Sequence, residues 1–407
     1  MSQSQPPAGL LTNQIRPYAW GSRTAIARLT GRTPGGGPEA ELWMGAHPGA
    51  PSRTDRGDGP EPLDRVIARD PVRELGESVT GRFGPRLPFL MKILAAEHAL
   101  SVQVHPTTAQ AEAGFAAEEE AGIPLDAPHR IYRDPHHKPE MLCALSGFDA
   151  LCGFREPAAT ADLLAALHLP VLDHWIGILR TAEPETALRT VLTEALGTDR
   201  PRGTAAALAL AAALEDAAGA SGPDAGTYAA YAGAARDYPA DPGLVAALLL
   251  NHVRLQPGEA LYLDAGVPHA YLHGTGVEVM ANSDNVLRCG LTPKHVDVDA
   301  LAAVVDFRPG PPSRVPATPG PGGEVHYRAP AAEFALSRLD LPGTVTLDDD
   351  GPQILLCTEG SAALRQDPAV RLTLGPGASA FLPAAGAPAE LTGAARLYRV
   401  RVGSTQH

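Results

Sequence analysis

Apolar positions change their spacing along this 407-residue chain, and the changes mark out its parts. Up to about residue 155 they come in short runs broken by Gly and Pro, the pattern of strands joined by turns. Between Leu87 and Val104 one run reads Leu-Pro-Phe-Leu-Met-Lys-Ile-Leu, and the next, Ala-Leu-Ser-Val-Gln-Val-His, alternates apolar with polar. Alternation predicts a strand on which Gln103 and His105 share a face, because side chains two apart point the same way. Residues 107–121 are rich in Ala and Glu and predict a helix, with Glu118, Glu119 and Glu120 on a solvated face. At about Pro157 the chain turns rich in Ala and Leu and keeps helical spacing to about Leu250. Pro157, Pro184, Pro201, Pro223 and Pro242 stand where roughly four or five helices would begin, a position that tolerates proline. Strand patterning resumes from Val253 to about Phe307. Residues 308–323, almost all Pro, Gly and small polar groups, predict a long loop. Residues 324–403 alternate short apolar runs with turn signals such as Asp349-Asp350-Gly351 and Gly375-Pro376-Gly377, which predicts a small β-sandwich or barrel.

Composition narrows what such a protein does. A 44% hydrophobic content supports packed cores without disulfides or structural metal. No apolar run approaches the roughly 18 residues of a membrane span, and the N-terminus lacks a charged-then-apolar signal pattern. A soluble, cytoplasmic chain is expected, and its net charge of -13 argues against nucleic acid or an anionic membrane as partner. Cys143, Cys152, Cys289 and Cys357 are too widely spaced for a zinc knuckle or redox motif and suit a reducing compartment. Only Lys92, Lys138 and Lys294 among the 33 basic residues are lysine. Lysine is a compact charge able to lose its proton, so these positions merit inspection.

Unusual polar residues concentrate in three segments: Ser101-Val-Gln-Val-His-Pro106, Asp134-Pro-His-His-Lys-Pro-Glu-Met141, and the stretch from Gly258 to Tyr271. Gln103 and His105 on one strand face, with Glu140 and His269 from neighbouring strands, offer only nitrogen and oxygen donors, a set suited to Zn²⁺ with room for water or substrate. The neutral amide makes it a poorer match to the iron triad of two histidines and one carboxylate. Any single histidine of the 14 is more readily read as hydrogen-bonded in a loop. Gly258, Gly266 and His269 also keep the G-x7-G-x2-H spacing of a cupin turn, although Asp264 and His273 depart from its usual residues.

Taken together, these residues resemble the class I mannose-6-phosphate isomerases (phosphomannose isomerases). The stretches that carry the resemblance are Pro17-Tyr-Ala-Trp-Gly21, Ala40-Glu-Leu-Trp-Met-Gly-Ala-His-Pro48, Leu90-Met-Lys-Ile-Leu94, Leu100-Ser-Val-Gln-Val-His-Pro106, His137-Lys-Pro-Glu-Met141, Leu248-Leu-Leu-Asn251, Gly258 to Leu272, and Glu278 to Lys294. They fall in order across about residues 15–307, while the C-terminal part matches weakly. The resemblance implies a mainly β protein. Its catalytic core would be a cupin-type jelly-roll β-sandwich formed by residues 1–156 and 251–322. A helical domain at 157–250 would be inserted into it, and a second sandwich without metal would follow at 323–407.

It further implies a zinc-dependent interconversion of mannose 6-phosphate and fructose 6-phosphate, one Zn²⁺ held by Gln103, His105, Glu140 and His269, and a monomer acting on a free sugar phosphate. Moving a proton between C1 and C2 requires a base near C2, help for the developing oxyanion and a grip on a dianionic phosphate. Lys138, or else His137 or a zinc-bound water, would carry the proton. Arg288 resembles the family's catalytic arginine. Lys92, Ser101 and Lys294 would contact sugar or phosphate, Tyr271 would line the cavity and Trp20 would close a wall. Glu278 and Asp284 would either line the cavity or orient its ligands. Trp43, Met44 and His47 read as core and turn elements. Gly49 departs from the basic residue frequent at that point in relatives, which leaves a phosphate contact there in doubt. A cupin oxidase with redox iron, or a non-catalytic sugar-phosphate binder, are the competing classes. Gln103 opposes the first, and Lys138 with Arg288 opposes the second.

Overall fold

The computed structural model describes residues 7–56, 59–341, 343–347, 351–366 and 370–404. Asp349 and Asp350 of one expected turn therefore lie outside the described residues. Two 11-stranded antiparallel sheets dominate, and a block of helices packs on one of them. One strand, His269–Ala281, organises the catalytic sheet. Its first residues pair with Phe148–Phe154 and Val102–Val104, and its last with Phe89–Ala96 and Glu140–Ala144. The change of partners falls at an irregularity between Tyr271 and His273, followed by Gly274 at φ +127. A Cβ at Gly274 would lie 2.7 Å from the Gly147 carbonyl oxygen, so glycine is what lets the strand turn this corner of the sandwich.

The run Phe89–Ala96 is apolar except for Lys92 because both of its faces are buried. Phe89, Met91 and Ile93 pack into a seam with Leu336, Phe381, Tyr398 and Val400 of the C-terminal sheet. Leu90, Lys92 and Leu94 alternate to the opposite face, inside the catalytic sandwich. Each fully buried Leu, Ile, Met or Phe contributes about 1.5–3 kcal/mol, so this strand joins the two sheets into one body.

Six α-helices, rather than four or five, fill residues 157–248. The one without an expected proline start is Asp173–Thr181, which follows directly on the short turn Pro170–Leu172. Pro157 and Pro184 occupy first helical positions, as expected. The helices pack against Val102, Val104, Leu151 and Leu287, on the backs of the strands whose other residues include Gln103 and Arg288. No described helix is long and apolar enough to cross a membrane.

The division of the chain between the two sheets departs from the expected one. The strand Gly9–Thr12 pairs with Ser379–Leu382, and Arg53–Thr54 pairs with Gly9–Thr12, so these early segments complete the C-terminal sheet. Burial of Leu11 in the inter-sheet seam accounts for this pairing, and no local sequence signal announces it.

Helical block and catalytic sheet meet where Gly243 crosses Gly290. A Cβ at Gly290 (φ +124) would lie 2.2 Å from the Gly243 Cα. Gly290→Ala should therefore lower stability by about 2 kcal/mol or more, read as a reduced denaturation midpoint; an unchanged midpoint would show that this crossing can relax.

Candidate metal centre and active site

Register across the catalytic sheet builds the site. Gln103 stands opposite both His269 and Arg288, so these three side chains form a row over adjacent strands on one face. His105 follows two residues after Gln103, and Glu140 opens the strand Glu140–Ala144, opposite Leu263 and Met280.

The orientation of each histidine is set by a carbonyl. His105 Nδ1 lies 2.8 Å from the Asn285 carbonyl oxygen, and His269 Nδ1 lies 2.9 Å from that of Val267. A carbonyl oxygen can only accept, so both Nδ1 atoms donate and both Nε2 atoms keep free lone pairs. Those Nε2 atoms each lie 3.5 Å from Glu140 Oε2, too long for a good hydrogen bond. All three atoms are buried without a hydrogen-bond partner. Burial, with the charge of Lys138, pushes the His105 imidazole down to about 4, so it is neutral at pH 7. Burial opposes ionisation of Glu140, but Lys138 and His105 outweigh it and hold the carboxyl well below its ordinary range. Orphaned lone pairs converging in a dry site are costly, and a cation satisfies all of them. His105, Glu140 and His269 bring ligand atoms within 4.8 Å of one another. The donor set, two imidazoles and a carboxylate with the Gln103 amide in the adjacent row, fits a divalent metal of zinc's preferences.

Lys138 places Nζ 2.9 Å from Glu140 Oε1. Asp284, on the half-exposed rim, faces His47 Nε2 at 3.4 Å and is held below the usual carboxylate range by His47, Lys138 and Arg133 against the effect of burial. Tyr271 is buried edge-on to Phe148; burial, then the neighbouring Glu278, raises its phenol well above the usual value. Trp20 is half-buried, stacks on Tyr18 and packs against the buried cluster that contains Phe148 and Tyr271. Ser101 is half-buried, two residues before Gln103.

Two expected contacts sit elsewhere. Lys92 is buried between Glu278 at 3.0 Å and Glu41 at 3.4 Å, with its ammonium 5.3 Å from the Trp43 ring centroid, so its charge is already engaged inside the sandwich. Burial works against that charge, but Glu278 and Glu41 more than compensate and raise its pKa. One ammonium cannot neutralise two carboxylates, and burial pushes the Glu278 carboxyl above its ordinary range. His137 bonds Glu333 Oε1 of the C-terminal part at 2.8 Å. The strand begins at Glu140, after His137, so nothing in the pleat turns this ring toward the ligand cluster.

Sequence reasoning missed two residues here. Asn285 is fully buried; its carbonyl orients His105, while its side chain accepts from Arg133 N and donates to the carbonyls of Asp134 and His136. The Asx-rich stretch around it was a visible signal. Arg133 comes close enough to Arg288 and Lys294 to lower the pKa of both. Burial is the larger cause for Arg288, and Arg288 itself the larger for Lys294. None of these three cations ion-pairs with a carboxylate among the described residues. Glu118, expected on a solvated face, instead pairs with Arg130 and accepts from Ile131 N and Tyr132 N, anchoring the segment that carries Arg133.

Comparison with known proteins agrees with this geometry. Residues 10–157 match the family model "Phosphomannose isomerase type I, catalytic domain", and residues 324–402 match "Mannose-6-phosphate isomerase, cupin domain". The mannose-6-phosphate isomerase of Salmonella typhimurium is 43% identical over 397 residues, covering 96% of this chain and 98% of the relative. The chain belongs to the type I phosphomannose isomerase family. The rat mannose-6-phosphate isomerase is 33% identical, with 85% of this chain and 86% of that relative covered. The crystal structure of the Salmonella typhimurium enzyme bound to substrate (F6P) and a zinc atom superposes with a TM-score of 0.87 at 40% identity, covering 98% of this chain and all of that one. A zinc-bound holo structure of a mannose 6-phosphate isomerase gives the same TM-score, 0.87.

The buried Lys92 cluster makes a prediction separate from catalysis. Lys92→Met leaves Glu41 and Glu278 in the core without a cation and should cost about 3 kcal/mol at pH 7. Both carboxyls would then have folded pKa values above their unfolded ones. The deficit should be full above those values and shrink as pH falls through them. Chemical denaturation at pH 7 and pH 5 reads this, and an equal loss at both would exclude the assignment.

Proposed function

We propose that this chain is a zinc-dependent isomerase that interconverts mannose 6-phosphate and fructose 6-phosphate. The observation that carries the reading is the convergence of His105 Nε2, His269 Nε2 and Glu140 Oε2, buried and unpartnered, beside a group of cations that have no carboxylate partner among the described residues. Gln103, His105, Glu140 and His269 hold the zinc. When bound, it supplies a Lewis acid for the sugar's carbonyl and hydroxyl oxygens, and its charge offsets that of Glu140.

The residues divide the remaining work. Mannose 6-phosphate gives up protons from C2 and its hydroxyl and gains protons at C1 and the former carbonyl oxygen. Lys138 is assigned the proton relay: it is next to Glu140, and Asp284 balances its charge from the rim. His137 is not assigned it, because Glu333 holds its ring. Arg288 and Lys294 grip the phosphate, and Arg133 joins them. Such a cluster is costly when empty, and a phosphate dianion, with three acceptor oxygens, relieves its mutual repulsion. Tyr271, Trp20 and Ser101 shape the sugar pocket. Glu278 orients the interior through Lys92.

The helical domain supports the strands from behind, and the C-terminal sandwich supports them through the inter-sheet seam. Every group named comes from one chain, so a monomer suffices. Four buried, unpaired cysteines suit the cytoplasm.

In a coupled assay, zinc-loaded protein should interconvert the two sugar phosphates. Chelation should abolish this and lower the melting temperature, and added zinc should restore both. Metal-replete protein without turnover would refute the reading. Lys138→Ala should retain zinc stoichiometrically and lose roughly 10²-fold or more of kcat, the usual scale of a missing acid–base group. Retained turnover would remove Lys138 from that role. Arg133→Ala should raise the KM for mannose 6-phosphate roughly tenfold, on the scale of one charge-assisted hydrogen bond, with kcat nearly unchanged.

A further inference from the structure

The loop that follows Arg288 is held from the helical domain by a single carboxylate. Asp241 lies between the helices Ala225–Asp237 and Gly243–Leu248. Its Oδ1 accepts from Gly243 N, and its Oδ2 accepts from Thr292 N, both at 2.8 Å. Thr292 Oγ1 in turn accepts from Lys294 N at 3.2 Å. The backbone leading into this loop is strained: buried Leu291 sits at φ +53, in the left-handed region that a residue with a Cβ rarely adopts. Left to itself, the segment would relax. Two contacts prevent this, the Gly243–Gly290 crossing beneath it and the Asp241 carboxylate at its side.

Asp241 and Lys294 line the same crevice of about 270 Å³, together with Thr292 and His295. Even so, they form no ion pair. Each carboxylate oxygen of Asp241 is engaged by a backbone N–H, and Lys294 makes no ion pair with it, so Asp241 acts on the loop through the backbone. The ammonium has no carboxylate partner among the described residues, and Arg288, then burial and Arg133, lower its pKa.

We propose that Asp241 is a positioning residue for phosphate binding: the helical domain sets Lys294 through it, and thereby sets affinity for the phosphorylated sugar rather than the rate of proton transfer. This rests on the reading that Lys294 grips the phosphate. The experiment is a double-mutant cycle on the zinc-loaded full chain with Asp241→Ala, Lys294→Ala and the pair, reading kcat, KM for mannose 6-phosphate, and the inhibition constant of inorganic phosphate.

Asp241→Ala should raise KM and the phosphate inhibition constant together, by roughly tenfold, and leave kcat within about twofold. In the Lys294→Ala background, adding Asp241→Ala should change little, because both act on one contact. If the Asp241 effect adds in full to that of Lys294, falls on kcat alone, or is absent, the proposal is overturned. If Lys294→Ala by itself leaves KM unchanged, the phosphate reading fails first and the proposal falls with it. Should Asp241→Ala not fold, Asp241→Asn serves. It keeps an acceptor for only one of the two N–H groups and should give a smaller rise of KM at constant kcat; no rise overturns the proposal.

Discussion

Three lone pairs with no proton to share are the constraint around which this molecule is arranged. His105 Nε2, His269 Nε2 and Glu140 Oε2 face one another, buried and without a hydrogen-bond partner. Each imidazole is locked in one tautomer by a backbone carbonyl, so neither can turn its N–H toward the carboxylate. The remaining way to satisfy the cluster is a cation, and the fold keeps the cluster rigid enough to wait for one. The carbonyl of Asn285 orients His105 while its side chain clamps the segment that leads to Lys138 and Glu140. One buried amide thereby links a ligand's orientation to the placement of the lysine beside it.

The three lysines of this arginine-rich chain have three separate fates, each set by its environment. Lys92 is sealed between two carboxylates in the sandwich and acts as a structural charge. Lys138 shares Glu140 with the ligand cluster. Lys294 has no carboxylate partner among the described residues and stands with Arg288 and Arg133. Charge is therefore compensated within the core and left without an ion pair around Lys294, where the proposed function places the phosphate dianion. A net charge of -13 does not oppose this, because screening confines its influence to roughly 10 Å while the cations act at contact.

Placing a ligand row on a sheet requires support on the back of that sheet. Strands with Gln103 and Arg288 on the working face present Val102, Val104 and Leu287 to the helices behind. Phe89–Ala96 presents Phe89, Met91 and Ile93 to the C-terminal sheet. Helical block and second sandwich are thus the counter-surfaces that let the catalytic strands be buried on both faces. The Gly243–Gly290 crossing brings the helical block close enough for Asp241 to reach the loop in front.

Much of this was legible in the sequence. Period-2 alternation put Gln103 and His105 on one face, the shift at Pro157 announced the helices, and the run of family stretches named the family and singled out His105, Glu140 and His269, which the fold gathers. Those properties are local: pleat, helical period and residue type are set within a few positions. What tertiary structure alone decided is long-range. It paired Gly9–Thr12 with the far C-terminal sheet, turned His137 to Glu333, enclosed Lys92 between Glu41 and Glu278, and brought Arg133 to Arg288. Each of these joins segments far apart in the chain through burial and charge, and neither depends on sequence spacing. A lysine in an apolar run reads the same whether it meets substrate or a buried acid; only the packed neighbours tell the two apart.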